Sequence, residues 1–314
     1  MCKFDFTYFN IMPEGPEVKI ISDNITHFLL DKTLLELTVV KDSFEKRTKN
    51  FDKLVLPQKV VTVGVKGKFC YIRLADKSAI AIGFGMTGNI RIEPDDEYLA
   101  KRKETREKYM KHCSVKFSWA GEEDSGVFYY NSIRNFGFIH YLTEQELGKK
   151  LALLGPSILD VAGPLSQKVL VQRWRRGDGR NICDVLVSNQ NLISGIGNYI
   201  KAEILYSVGV HPLAIVKALD DDTLYQLYIA AVQIAQNAYA AGGASLYTYT
   251  GLHGDKSEFK TELQVYNRTK DPDGNKVEQL KTPDKRTTYW VPSKQQLGNP
   301  VPKERIRIRV TKKT

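Results

Sequence analysis

The chain has 314 residues, 42% hydrophobic, 26% charged and 10% aromatic, a balance that excludes a disordered or collagen-like polymer and suits about two globular domains. Its longest apolar run, 79–86, falls far short of the roughly 20 residues that cross a bilayer, and residues 1–11 lack the basic start and apolar block of a secretion signal. Lys and Arg number 46 against 36 Asp and Glu, a net charge of +10 that favours a polyanionic partner through counterion release. The four cysteines, Cys2, Cys70, Cys113 and Cys183, show no C-x-x-C spacing, so neither a disulfide framework nor a cysteine zinc site is encoded. An intracellular, non-secreted protein is expected, nuclear in a eukaryote or cytoplasmic in a prokaryote or virus.

In chain order, 13–18 reads as a helix start. Short apolar runs at 60–63, 69–72 and 79–82, broken by Gly67 and by 76–78, read as strands, as do 114–119, 126–130 and 137–142. The first half is therefore predicted to be a β-sandwich. The almost wholly charged run 101–111 reads as a solvated helix or loop. Thr143 and Glu146 have capping-box spacing, and helical patterns then dominate to about Ala241. The clearest helix follows Asp220-Asp221-Asp222, with Leu224, Leu227, Ala231, Ile234, Ala235 and Ala238 on one stripe and Gly242-Gly243 at its stop. Residues 263–266, the Asp-Pro-Asp-Gly turn at 271–274 and 286–291 read as a small β-hairpin unit. In the tail, Lys303, Arg305, Arg307, Arg309, Lys312 and Lys313 stand against only Glu304; a solubilising tail and a binding arm are equal readings.

Pro13-Glu14-Gly15-Pro16-Glu17-Val18 follows Met12. By local rules this is a helix start with proline and acidic side chains in the first turn. A chain begun at Met12 and stripped of it would instead present Pro13 as a free secondary amine, able to form a cationic iminium with an aldehyde-level carbon; inside a chain the same nitrogen is an inert amide. Asn191-Leu192-Ile193-Ser194-Gly195-Ile196-Gly197-Asn198-Tyr199 is a glycine-punctuated turn between predicted helices 182–188 and 198–208. Its glycines and the amides of the second helix, with Asn198 as side-chain donor, could hold a phosphate; a plain helix connection is an equal reading. Gly85-Met86-Thr87-Gly88 and Arg134-Asn135-Phe136-Gly137 sit at strand ends and together offer an apolar wedge, a cation and an aromatic ring. Such groups fill the gap left when a base is flipped from a duplex.

In this order the motifs resemble the formamidopyrimidine-DNA glycosylase and endonuclease VIII family of base-excision repair enzymes, over about residues 12–292. Lys66-Gly67-Lys68, Leu263-Gln264-Val265-Tyr266 and Arg286-Thr287-Thr288-Tyr289 also match. The resemblance implies an α+β fold: an extension at 1–12 absent from the active form, a catalytic β-sandwich domain at 13–142, a helix-two-turns-helix domain at 143–259, a finger hairpin at 260–294 and a basic tail at 295–314. It implies a bifunctional DNA glycosylase and abasic-site lyase, acting as a monomer on damaged double-stranded DNA. Pro13 is then the nucleophile at C1′, Glu14 the general acid/base that opens the sugar, and Glu17 their support. Lys68, a catalytic-centre residue, joins Asn198 and Arg286 in a phosphate clamp, while Met86, Arg134 and Phe136 fill the void. No cysteine follows Cys183, so a four-cysteine zinc finger is impossible. The hairpin resembles instead the zincless finger of one branch, which implies no metal or other cofactor and a preference for oxidised pyrimidines and formamidopyrimidines. Translation from Met12, or processing to Pro13, is expected, and 244–262 is long enough for a loop that caps a flipped base. The rival from another class is a non-catalytic damaged-DNA-binding protein with the same helix-two-turns-helix domain. A small-molecule enzyme lacks support, because the five histidines show no metal-ligand spacing and no phosphate loop occurs.

Overall fold

A computed structural model describes residues 13–103, 105–160, 163–243, 259–261, 263–300 and 310–312. The expected extension 1–12, most of the expected capping loop and most of the basic tail lie outside the described residues. Helix α1 (Gly15–Leu29) starts at Glu14, which forms a reciprocal capping box with Glu17, and Pro16 occupies its first turn. Val18, Ile21, Ile25 and Leu29 recur at helical spacing and are fully buried, so this stripe enters the core of the sheet that follows.

That sheet comprises β1 (Thr33–Val39), β2 (Thr48–Lys49), β3 (Gln58–Lys66), β4 (Phe69–Leu74), β5 (Ala79–Gly83), β6 (Gly88–Ile92), β7 (Cys113–Ala120), β8 (Ser125–Ser132) and β9 (Phe138–Leu142), hydrogen-bonded in the order β2-β9-β5-β4-β3-β1-β7-β8-β6. Only β2 and β9 run parallel. The two halves join where Thr33 and Leu34 pair with Lys59 and Gln58. Residues of both halves share one core, Ile72 and Ile82 from one side and Phe117 and Phe128 from the other. The domain is thus one sheet by hydrogen bonding and a sandwich by packing, an arrangement that lets alternate residues of each strand point inward. Helices α2 (Asp96–Arg102) and α3 (Arg106–Met110) span the charged run, whose described side chains are mostly exposed, as expected of a solvated helix. The break falls at Lys103, in the left-handed region at φ 51°, and buried Tyr109 anchors the segment by donating to the Ile92 carbonyl at 3.2 Å.

Helix α4 (Glu144–Leu153) carries the expected capping box. Its Leu147 packs on the outer face of the sheet beside Phe69, Ala79 and Ala81, which is why β5, covered on both faces, is an unbroken apolar run. A second core gathers α5 (Gln167–Trp174), α6 (Ile182–Val187), α7 (Asn198–Val208) and α8 (Asp221–Ala240). Asp220 caps α8 by accepting from the Thr223 amide at 2.7 Å, and the whole predicted stripe of α8 is buried. Helix α7 is the central rod, with every residue from 199 to 206 buried, the charged Lys201 and Glu203 included.

Strands β10 (Phe259–Thr261), β11 (Glu278–Lys281), β12 (Thr287–Trp290) and β13 (Val310–Lys312) complete the fold. The hairpin is β11–β12, closed by a turn over 282–286, and neither 263–266 nor the 271–274 turn belongs to it. The reason lies in two carboxylates. Asp271 accepts from the amides of Asp273 and Asn275 at 3.0 and 2.7 Å and closes its own turn. Glu203 takes the amides of Gln264, Val265 and Tyr266 at 2.8, 3.0 and 2.9 Å, leaving that segment no donors for a ladder. Within the tail, 310–312 pairs antiparallel with 259–261.

Candidate active site

The amino end of α1 docks against the amino end of α7. Pro13 and Glu14 are buried. The Glu14 carboxylate accepts from the amides of Tyr199 at 2.8 Å and Ile200 at 3.3 Å, so it supplies the anionic cap that Gly197, with no side chain, cannot. The fit demands glycine: a Cβ on Gly197 would lie 2.1 Å from Glu14 Cδ. The Gly15 amide donates to the Gly195 carbonyl at 2.9 Å, with Gly195 at φ +106°. Sequence reasoning gave the first-turn amides of α7 to a phosphate; two of them are taken by Glu14.

Glu17 lies one turn on. It accepts from the Glu14 amide at 3.0 Å and from the Tyr199 hydroxyl at 3.2 Å. Lys68 stands on the β3–β4 turn, and a Cβ at its neighbour Gly67 would come within 2.6 Å of Ser194 Cβ, so this turn presses on the loop before α7. Lys68 faces Glu14, Glu17 and Arg286, and desolvation among these neighbours lowers the pKa of its ammonium. Burial pushes the Glu14 carboxyl up to about 7, opposed by Lys68 and by the two α7 amides and reinforced by the charge of Glu17. Arg286 comes from the β11–β12 turn, which Asn198 ties to α7 by donating to the Thr287 carbonyl at 3.0 Å. The Tyr266 hydroxyl faces Asn198, and burial raises its pKa.

The structure thus brings Pro13, Glu14, Glu17, Lys68, Asn198 and Arg286 to one place from four parts of the fold: the amino end of α1, the β3–β4 turn, α7 and the β11–β12 turn. A carboxyl titrating near neutrality beside two cations can exchange protons while the cations hold an anion. Met86, Arg134 and Phe136 form a second group. The Arg134 amide donates to Thr87 Oγ1 at 3.1 Å, and its guanidinium lies 3.8 Å from Met86 Sδ. Gly85, at φ +58°, presses on the Phe136 backbone, where a Cβ would be 2.6 Å away. Phe136 is 53% exposed, a large apolar side chain left open to solvent among the described residues. Tyr199, Lys201 and Glu203 were missed by sequence reasoning; the one available signal was that α7 carries two charges in an otherwise apolar helix. Among the described residues, no group of three or more His, Cys, Asp or Glu could hold a metal ion, and no helix is long and apolar enough to cross a membrane.

Comparison with known proteins meets this geometry. Residues 12–139 match the formamidopyrimidine-DNA glycosylase N-terminal domain and residues 252–296 the C-terminal domain of the same family. A formamidopyrimidine-DNA glycosylase of Oceanobacillus iheyensis is 28% identical over 266 residues, covering 83% of this chain and 89% of its own. One from Shewanella oneidensis is 28% identical over 258 residues, covering 82% and 89%. The fold is similar to that of a Lactococcus lactis Fpg bound to DNA with an abasic site, at TM-score 0.73 and 23% identity over 90% of this chain and 99% of that one. It is equally similar to a complex of that protein with DNA containing an oxidised pyrimidine, at TM-score 0.73 and 21% identity over 90% and 100%. With two domain models of one family matched in order over more than half its length, the chain belongs to the formamidopyrimidine-DNA glycosylase family.

Proposed function

We propose that the chain is a DNA glycosylase that excises oxidised bases from double-stranded DNA and then nicks the strand as an abasic-site lyase, through a Schiff base on Pro13. Glu14 carries this reading: a buried carboxyl with a pKa near 7, next to Pro13 in the chain and facing Lys68. In the proposed reaction the Pro13 amine attacks C1′, and the damaged base departs with its bonding electrons. Glu14 delivers a proton to O4′ as the C1′–O4′ bond opens, which leaves an iminium. Loss of a proton from C2′ expels the 3′ phosphate, and a second elimination expels the 5′ phosphate. A carboxyl with its pKa near the working pH can both give and take a proton. Lys68, Asn198 and Arg286 hold the phosphates flanking the extruded nucleotide, and Met86, Arg134 and Phe136 fill the space it leaves.

Two observations support the finer points. The family match starts at Met12, as suits a working form whose first residue is Pro13. The β11–β12 hairpin is tied to α7 by the Lys201–Asp284 ion pair, and the segments flanking it are joined by Lys294–Asp271, which suits a finger of the zincless branch and, by that likeness, oxidised pyrimidines and formamidopyrimidines as substrates. Borohydride trapping on an oligonucleotide with one abasic site tests the proposal, using protein begun at Met1 and protein begun at Met12 with methionine removal checked by mass. A covalent adduct only from the form with free Pro13 is expected. No adduct from either form would leave a damaged-DNA-binding protein without lyase chemistry.

A further inference from the structure

We infer that the buried Lys201–Asp284 ion pair positions Arg286 for its phosphate, an inference that rests on the reading of Arg286 as a phosphate ligand. Both side chains of the pair are completely buried, Nζ to Oδ2 at 2.7 Å. Desolvating two charges is costly, and a well-packed apolar pair commonly serves stability as well or better. A pair retained at that cost is best explained by its geometry.

Asp284 divides its two oxygens between two tasks. Oδ2 takes the ammonium of Lys201 from the end of the first turn of α7, and Oδ1 accepts from the Arg286 amide at 3.3 Å and from the Thr282 hydroxyl at 2.5 Å. The Thr282 amide in turn donates to the Arg286 carbonyl at 3.0 Å, and the Thr282 hydroxyl lies 3.0 Å from the same carbonyl. Arg286 is therefore gripped at both of its peptide groups, immediately after Lys285 at φ 61°. The grip is referred to α7, the same helix whose first turn receives Glu14. The Arg286 charge opposes that of Lys68, two cations brought together where an anion between them would relieve the repulsion. Apolar packing could hold the hairpin onto α7, but it would offer no acceptor to the Arg286 amide and would leave the aim of the guanidinium unset. Lys201 and Asp284 are positioning residues by this account, since both side chains are buried out of reach of a ligand.

The test is a cycle of variants: Lys201→Met with Asp284→Leu, Arg286→Ala, and all three together. Affinity is measured over a range of salt for a duplex containing one tetrahydrofuran abasic analogue and for the undamaged duplex. Removing both charges should leave the melting temperature near that of the wild type. Lesion affinity should fall roughly tenfold, as in Arg286→Ala, with the salt slope reduced by about one phosphate contact. In the Arg286→Ala background the pair's removal should change nothing further. Thr282→Val removes no charge and should weaken lesion binding in the same direction, which keeps the test decisive if the charge-free variant folds poorly. Wild-type affinity and salt slope without the pair, or an equal further loss in the Arg286→Ala background, would overturn the inference. An Arg286→Ala protein that binds the lesion normally would remove the phosphate-ligand reading and this inference with it, while leaving the Pro13 trapping result untouched.

Discussion

Replacing Glu14 by glutamine should stabilise the protein above neutral pH while abolishing its chemistry. Burial raises the Glu14 pKa from an ordinary 4.5 to about 7, so the folded state binds this proton more tightly than the unfolded chain does. Its contribution is fully present below pH 4.5 and is lost as pH rises through 7. At 1.36 kcal/mol per unit, the ionised carboxylate costs the folded state about 3 kcal/mol at pH 8. Glutamine never ionises and removes that cost. One of its two atoms is a donor facing an α7 amide, however, a mismatch of about 1 kcal/mol at every pH. The variant should therefore be about 1 kcal/mol less stable than wild type at pH 4.5 and about 2 kcal/mol more stable at pH 8, a gain trimmed by the counter-charge that Lys68 loses. Urea unfolding followed by tryptophan fluorescence at the two pH values measures the difference. An equal effect at pH 4.5 and pH 8 would refute the claim that Glu14 is buried at an electrostatic cost.

Gly197→Ala should drive Glu14 off α7, because the added Cβ would sit 2.1 Å from its Cδ; borohydride trapping should fall at least a hundredfold, with about 1–2 kcal/mol of stability lost with the cap. Glu203→Ala leaves three amides without their acceptor. It should cost roughly 3–6 kcal/mol, and hydrogen exchange at Gln264, Val265 and Tyr266 should accelerate selectively. Phe136→Ala should alter stability by no more than about 0.5 kcal/mol, as befits an exposed side chain, yet reduce discrimination between abasic and intact duplex roughly tenfold; unchanged discrimination would remove Phe136 from the void-filling group.

Features set by neighbours in the chain were legible in the sequence. The Thr143–Glu146 box, the Asp220 cap and the buried stripe of α8 follow from spacing alone, because a helix brings residues three and four apart together whatever surrounds it. Six strands of the large sheet were legible as runs, but β1, β2 and β6 were not read, nor was the strand order: β1 lies between β3 and β7, a pairing that no local signal encodes. The hairpin was misplaced because Asp-Pro-Asp-Gly closes only a small loop of its own, bridged at Lys270 and Lys276, while the apolar run 263–266 gives its amides to Glu203 instead of a ladder. At the site, the motif resemblance named residues that the fold brings together. That Glu14 seats on the amides of Tyr199 and Ile200, and that Lys201 and Asp284 meet beneath Arg286, depend on contacts between distant segments and left no pattern to read.

The Glu14 cap bears on how the molecule reaches its native state. Helix α7, the rod of the second domain, draws its N-terminal cap from a residue 185 positions earlier in the chain, and Gly197 leaves it without one of its own. Such a helix is not complete within its own domain, since its first turn gains its anionic partner only when the amino end of the chain arrives. Contacts this far apart form late, because the loop between them must be closed before they repay its entropy. The turn that holds the acid should then become firm only once the two domains have met, so catalytic competence should appear in a slow folding phase, after both cores have formed.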